Sequence, residues 1–145
     1  MRLSAWILSC QKFNSELIGD ISLSKRPMKR IIEPLSLMGA RIESDENKAP
    51  LKIKGSKLTG ISYESKIASA QVKSSILLAG LFASGETTVI EPYLSRNHSE
   101  LMLEYFDSDI KTYNSDNKFY TKIRSSFLMP KDLFIPGDIS SSAFF

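Results

Sequence analysis

The sequence has one cysteine, Cys10, and one histidine, His98. One cysteine cannot form an internal disulfide, which suits a reducing cytoplasm, and one thiol with one imidazole cannot supply a dedicated zinc site. The longest apolar run, residues 76–83, is much shorter than the roughly 20 residues that span a bilayer. No Gly-rich loop of the nucleotide-binding kinds occurs. We therefore expect a cytoplasmic protein with no metal site and no membrane partner.

The chain has an ordinary content of charged residues, with a small positive excess. The chain of 145 residues has 42% hydrophobic and 24% charged residues, a formal net charge of +3 and a pI near 9.0. This composition is typical of a folded globular domain that buries a core. Nucleic-acid binding would normally show a denser basic stripe, so we expect none, whereas a mild positive excess is compatible with small anionic substrates.

Helical and strand patterns alternate along the chain. Apolar residues at helical spacing predict a helix over 28–38, and residues 72–82 are apolar nearly all round, which indicates a buried helix. Asn97 and Glu100 have capping-box spacing ahead of another short helix. Strands are predicted at residues 51–54, 61–67 and 87–90, in a hairpin at 110–113 and 119–123, and at 133–135. The pattern predicts an α/β fold.

The pattern also repeats. A strand followed by Ser24 and Arg26 matches a strand followed by Ser95 and Arg96, at a shift of 70 or 71 residues. We therefore predict two copies of one strand–helix–strand–helix–strand–strand unit, the first without its opening strand. Residues 1–130 are expected to form most of one domain, and residues 131–145 to begin a second. Both ends read as cuts within a longer protein, because helical patterns start or stop there abruptly.

Short turns with Ser or Asp open several helices, at residues 19–22, 69–71, 95–96 and 137–140. Helix N-termini present free N–H groups and the positive end of a dipole, and arginine adds bidentate donors, so such turns suit phosphate or carboxylate. A single turn of this kind is more often only a helix cap. Four of them, two with an arginine beside them, favour an anion-binding site.

Four segments carry a family resemblance: GDISLSKRPM at 19–28, SAQVKSSILLAGL at 69–81, SRNHSELML at 95–103 and PGDISSSAFF at 136–145. They resemble four successive motifs of the 5-enolpyruvylshikimate-3-phosphate synthase family, in the family's order and spacing. Met1 and Arg2 resemble the end of the Gly-Thr-x-Met-Arg motif that precedes them. Asn97 and Ser99 depart from the family's usual aspartate and threonine.

The resemblance implies an inside-out α/β barrel of two domains, built from repeated βαβαββ units with buried helices. It implies transfer of the enolpyruvyl group of phosphoenolpyruvate to the 5-hydroxyl of shikimate 3-phosphate, with release of phosphate and without a metal or organic cofactor. This is a step of the shikimate pathway to chorismate and the aromatic amino acids. The small molecules would be the partners of an enzyme expected to act as a monomer.

The resemblance also assigns residues. Arg26 matches the arginine that binds phosphoenolpyruvate, and Gln71 would reach both substrates. Asp138 matches the aspartate that accepts the proton of the attacking hydroxyl, next to shikimate 3-phosphate. The remaining contacts to shikimate 3-phosphate are Ser69, Ala70, Ser95 and Arg96, with Ala70 acting through its backbone.

Three alternatives stay open at this point. Arg26 has a structural alternative, an ion pair with Asp20 or Glu33. UDP-N-acetylglucosamine enolpyruvyl transferase shares the architecture and chemistry, although its motifs lack the Ser-Ala-Gln-Val-Lys and Ser-Arg-x-His runs. The isolated chain is expected to be an inactive segment that binds ligand without turnover.

Overall fold

The computed structural model describes residues 1–135 and residue 137. Five helices and seven strands occur in these residues, in the order α1 (Ser4–Ser9), β1 (Asn14–Leu17), α2 (Ile21–Ser24), α3 (Lys29–Leu37), β2 (Arg41–Asp45), β3 (Lys48–Lys54), β4 (Ser62–Glu64), α4 (Ala70–Gly80), β5 (Glu86–Glu91), α5 (His98–Tyr105), β6 (Ile110–Ser115) and β7 (Lys118–Arg124). The fold is α/β, as the alternating patterns predicted.

The strands form two sheets with the same internal order. In the first sheet the order is β1-β3-β2, and in the second it is β4-β5-β7-β6. Strands β1, β3 and β2 are antiparallel neighbours, as are β5, β7 and β6, and β4 adds a parallel strand beside β5. The elements α1, β1, α3, β2 and β3 therefore recur in the same order as α4, β5, α5, β6 and β7, with α2 as an additional short helix and β4 as the opening strand of the second unit. This order agrees with the repeat predicted from the sequence. Arg26 and Arg96 lie in equivalent connections, Arg26 between β1 and α3 and Arg96 between β5 and α5.

Helix α4 lies at the centre of the core. It contacts α1 and α3 as well as β5 and β7, and most of its residues are buried, including Ile76 and Leu77. Packing is close at Gly80, where a Cβ added to the glycine would lie 2.7 Å from Cγ2 of Ile123 and 3.0 Å from Cβ of Thr87. The all-round apolar pattern of residues 72–82 thus correctly predicted a buried helix, because such a helix has no face that favours water.

Helix α3 has the amphipathic pattern expected of a helix that covers one side of a core. Its apolar residues Ile31 and Leu35 are buried, together with Met28 and Met38 on either side of the helix. Gly39 follows with a φ of +99°, the left-handed conformation that glycine adopts at little cost after a helix. Pro34 stays inside α3.

Two predicted elements differ in the structure. The hairpin strands extend further than the sequence indicated and leave a two-residue turn, Asp116 and Asn117, both with positive φ as the twist of a tight hairpin requires. The strand predicted at residues 133–135 is absent. Tyr105 Oη donates instead to the Asp132 carbonyl at 2.6 Å, so this segment follows the end of α5 rather than joining a sheet. A strand needs a partner, and none of the described strands runs beside it.

The two sheets are open within residues 1–135, so closure into a barrel is not seen in this part of the chain. The boundary near residue 130 stays a prediction. None of the helices in the described part of the chain is long and apolar enough to cross a membrane.

Candidate functional site

Arg2 joins two of the predicted anion-binding segments. Its Nη1 donates to Oε1 of Gln71 at 3.0 Å, and its Nη2 donates to the carbonyl of Pro27 at 3.1 Å. Gln71 lies in the first turn of α4, and Pro27 directly follows Arg26. The guanidinium therefore brings the start of α4 and the Arg26 connection together. The sequence pattern had placed Arg2 in a motif but had given it no role.

The Arg26 connection is the segment between β1 and α3, and Asp20 caps the short helix α2 within it. The Asp20 carboxylate accepts from the backbone N–H of Leu23 at 2.6 Å and caps α2, so the cap interpretation holds for this residue. Arg26 is exposed, and its guanidinium is in no ion pair with Asp20 or Glu33 in the described residues. The structural alternative for Arg26 therefore has no support in this geometry.

Ser69 stands immediately before α4 without capping it through its side chain. Its backbone N–H donates instead to Oε1 of Glu91 at 3.2 Å, across 22 residues. The cap interpretation thus fails for the Ser69 hydroxyl. Ala70 begins the helix, so its backbone N–H is one of the first, which have no intrahelical acceptor.

Ser95 lies in the connection between β5 and α5. Its Oγ is buried and has no hydrogen-bond partner among the described residues, a property it shares with the hydroxyls of Ser15, Ser75, Thr87 and Ser108. What separates Ser95 from those residues is its position beside the exposed Arg96 in the loop that opens α5. A buried hydroxyl without a partner is costly, and a ligand atom would satisfy it.

A buried ionic cluster, formed by Lys73, Glu91 and Glu100, lies under these loops. Nζ of Lys73 lies 2.9 Å from Oε2 of Glu91 and 2.6 Å from Oε1 of Glu100, and the three side chains are only 1%, 3% and 6% exposed. The capping-box interpretation of Glu100 was wrong: its carboxylate turns to Lys73, and Asn97 makes no side-chain cap bond. The only signal in the sequence was Lys73 itself, the one charged residue of a helix that is predicted to be buried.

A cavity of about 280 Å³ lies beside Ser69. Arg30, Glu33, Tyr63 and Lys66 line it together with Ser69. Burial raises the pKa of the Tyr63 phenol, and the nearby Glu33 carboxylate raises it further, so Tyr63 stays protonated and can donate a hydrogen bond near neutral pH.

The structure thus brings Arg2, the Arg26 connection and Gln71 together, and links Ser69 to the Ser95 loop through Glu91. Asp138, assigned as the proton acceptor, lies outside the described residues.

Comparisons with known proteins support the family resemblance that the sequence motifs indicated. The model of the family EPSP synthase (3-phosphoshikimate 1-carboxyvinyltransferase) matches residues 1–145. The chain belongs to the EPSP synthase family. A 3-phosphoshikimate 1-carboxyvinyltransferase of Geotalea daltonii is 54% identical over 148 residues, and one of Coxiella burnetii is 51% identical over 146. These alignments cover 100% of the chain but only 34% and 33% of the relatives, so the chain spans about a third of their length.

Solved structures agree on the fold. EPSP synthase from Acinetobacter baumannii matches 99% of the chain and 32% of its own chain, with a TM-score of 0.85 and 49% identity. The enolpyruvyl transferase NikO from Streptomyces tendae matches 83% of the chain with a TM-score of 0.53 and 16% identity, a likeness in fold alone. The architecture expected from the motifs is therefore that of the EPSP synthase family.

Proposed function

We propose that the whole protein containing this chain transfers the enolpyruvyl group of phosphoenolpyruvate to the 5-hydroxyl of shikimate 3-phosphate. The observation that carries this proposal is the two-pronged contact of Arg2 with the amide of Gln71 and with the carbonyl of Pro27. It supports one anion site built from separate motifs rather than a series of unrelated helix caps.

The two substrates differ in what they need. Phosphoenolpyruvate carries a carboxylate and a phosphate, and planar guanidinium groups match both with paired N–H donors. In the proposal Arg26 binds phosphoenolpyruvate, and Gln71, held by Arg2, contacts both substrates. Shikimate 3-phosphate has one phosphate and several hydroxyls, which suit Ser69, Ser95 and Arg96, with the backbone of Ala70.

The reaction needs a base and an acid. The 5-hydroxyl loses its proton to Asp138 as its oxygen bonds to the enol carbon of phosphoenolpyruvate, and the methylene carbon gains a proton. The tetrahedral intermediate then expels phosphate and loses a proton from its new methyl group, so that the carbon–carbon double bond forms again in the enol ether product. The proposed contribution of residues 1–135 is binding and orientation, which lower the barrier by holding the reacting atoms in contact distance.

The proposal includes no metal or organic cofactor, a monomer and a cytoplasmic location. Steady-state assays of the whole protein with both substrates test it through phosphate release. We expect release with shikimate 3-phosphate as acceptor. Release with UDP-N-acetylglucosamine instead would favour the other enolpyruvyl transferase, and binding without release would make the protein a ligand-binding module. The 145 residues alone are expected to bind weakly and to give no turnover.

A further inference from the structure

We infer that the buried ionic cluster is a positioning device for the shikimate 3-phosphate loops, an inference that rests on the proposed function. A single ammonium group, Nζ of Lys73, contacts two carboxylates that stand at opposite ends of one loop. Glu91 is the last residue of β5, and Glu100 lies in the first turn of α5. Between them, residues 92–97 carry Ser95 and Arg96.

The same cluster reaches the other candidate loop. Oε2 of Glu91 contacts Lys73, and its Oε1 accepts the backbone N–H of Ser69 at 3.2 Å. The backbone N–H of Lys73 in turn donates to the carbonyl of Ser69 at 3.0 Å, the first hydrogen bond of α4. Three charged groups thereby fix the start of α4 relative to both ends of the Ser95 loop.

A second bond between the helices lies beside the cluster. The hydroxyls of Ser74 and Ser99 are 2.6 Å apart and join α4 to the first turn of α5. Ser74 follows Lys73 and Ser99 precedes Glu100, so the two links run side by side. Two adjacent attachments restrict rotation of α5 about α4, which a single contact would allow.

Stability alone does not account for such a cluster. Buried ion pairs are often replaced by apolar residues of similar volume without loss of stability, because desolvation of the charges offsets their attraction. Most of the other buried residues of α4 are apolar, among them Val72, Ile76 and Leu77, and a leucine or methionine at position 73 would fit that pattern. What the ionic contacts supply is a fixed distance: Nζ of Lys73 lies 2.9 Å from Glu91 and 2.6 Å from Glu100, and so ties both ends of the loop to α4.

Charge gives the cluster a second effect. Two carboxylates close to a phosphate-binding loop would repel an anionic ligand across a medium of low dielectric constant. The ammonium of Lys73 offsets one of these two negative charges and holds both carboxylates turned inward, away from the loop surface, where they are almost fully buried. The loop surface is then left to Ser95 and the cation of Arg96.

The experiment uses the whole protein and three variants. Glu100→Gln removes one charge with little change of shape, and the triple variant Lys73→Met/Glu91→Gln/Glu100→Gln removes all three charges while roughly keeping the volume, so that it can fold even where Lys73→Met alone fails. Glu86→Gln is the matched control, because Glu86 begins the strand that Glu91 ends and is also ion-paired, to Lys122 and Arg124.

We expect the triple variant to weaken binding of shikimate 3-phosphate at least tenfold by calorimetry, while the KM for phosphoenolpyruvate changes less than threefold. Glu100→Gln should also weaken the binding of shikimate 3-phosphate. Glu86→Gln should leave this binding and the KM for phosphoenolpyruvate unchanged. Hydrogen exchange of peptides covering residues 69–75 and 92–97 should be faster in the triple variant and unchanged in the control.

Equal losses for both substrates, or unchanged exchange at the two loops, would overturn the positioning role. A wild-type protein that releases no phosphate would overturn the proposed function instead, and hydrogen exchange would still report on the loops. The two failures are therefore distinguishable.

Discussion

Nη1 of Arg2 donates to Oε1 of Gln71 at 3.0 Å, although 69 residues separate them in the chain. The contact fixes the amide so that its oxygen faces the guanidinium and its NH₂ group faces away. Gln71 is thereby oriented before any ligand arrives, and orientation in advance lowers the entropy lost on binding.

Arg2→Lys tests this orientation. Lysine keeps the charge but has no planar fork, so it cannot serve the Gln71 amide and the Pro27 carbonyl together in the same geometry. We expect the KM for phosphoenolpyruvate in the whole protein to rise about tenfold, which corresponds to about 1.4 kcal/mol. Arg41→Lys, at an exposed position of β2, is the control. A KM that matches the wild type would contradict the role of Arg2.

Arg26→Lys tests the binding of phosphoenolpyruvate directly. The loss of paired N–H donors should raise the KM for phosphoenolpyruvate more than it weakens shikimate 3-phosphate binding, because the proposal places Arg26 at the former ligand. Steady-state kinetics with each substrate varied in turn measure the ratio. Arg124→Lys, at an exposed position of β7, is the matched change. The assignment fails if the response to phosphoenolpyruvate is unaltered.

Asp138→Ala tests the proposed base. Removing a group that transfers a proton in the transition state lowers turnover by about a hundredfold or more. We expect kcat of the whole protein to fall by that amount while calorimetry shows both substrates still bound. Asp132→Ala is the control, since the hydrogen bond at Asp132 uses its backbone carbonyl. Equal kcat values for the wild type and Asp138→Ala would exclude the assignment.

Gly80→Ala tests the close contact of α4 with the second sheet. Alanine is favoured over glycine in a helix by about 1 kcal/mol, but overpacking a dense core costs about 1–3 kcal/mol. Because the added methyl would meet Ile123 at 2.7 Å, we expect the packing effect to be larger and the free energy of unfolding to fall by about 1–2 kcal/mol. Ser36→Ala, on the exposed side of α3, should change it by less than about 0.5 kcal/mol. Denaturant titration measures the free energy of unfolding of each variant and shows whether Gly80→Ala lowers it or raises it.

Cys10 supplies a pH-dependent prediction. Burial raises the pKa of its thiol from 9.0 to about 11, and Sγ donates to the Trp6 carbonyl at 3.2 Å. The thiolate fraction at pH 8 should be about 100-fold lower than in the unfolded chain, because each pKa unit changes it tenfold. Alkylation by iodoacetamide, followed by mass spectrometry of the Cys10 peptide, should be slower in the native protein than in urea by that factor.

The same shift has a consequence for stability. The unfolded thiol ionises from about pH 9 and the folded thiol only near 11. Stability from this group is therefore complete below pH 9 and is lost as the pH rises towards 11. A rate of alkylation equal in native and unfolded protein would contradict both statements.

The sequence predicted α4 and its burial because the signal was local: an apolar pattern with no polar face. It predicted the repeat because strand order follows from element order once two copies share a pattern. It assigned Glu100 wrongly, since a glutamate three residues after an asparagine is also the pattern of a capping box. The true partner, Lys73, is 27 residues away, and such contacts leave no trace in spacing.

The role of Arg2 could not be predicted either, because its partner Gln71 is 69 residues away in the chain. Its motif was visible, but which groups it would bind depended on how two loops meet in space. The strand at residues 133–135 was predicted wrongly for a different reason: here the local signal was present but the contact with another strand was not. Its β-branched and aromatic residues favour an extended chain, but propensity cannot supply a neighbouring strand to accept its hydrogen bonds.

The order of the first sheet has a consequence for handling the isolated chain. Among the described residues, β1 has β3 on one side and no strand on the other, whereas its counterpart β5 has β4 there. Its outer N–H and C=O groups form a template on which a strand of another molecule can add. The shortness of β1, only four residues, and the charge of Glu16 limit this association, and both are features by which proteins protect an open sheet edge.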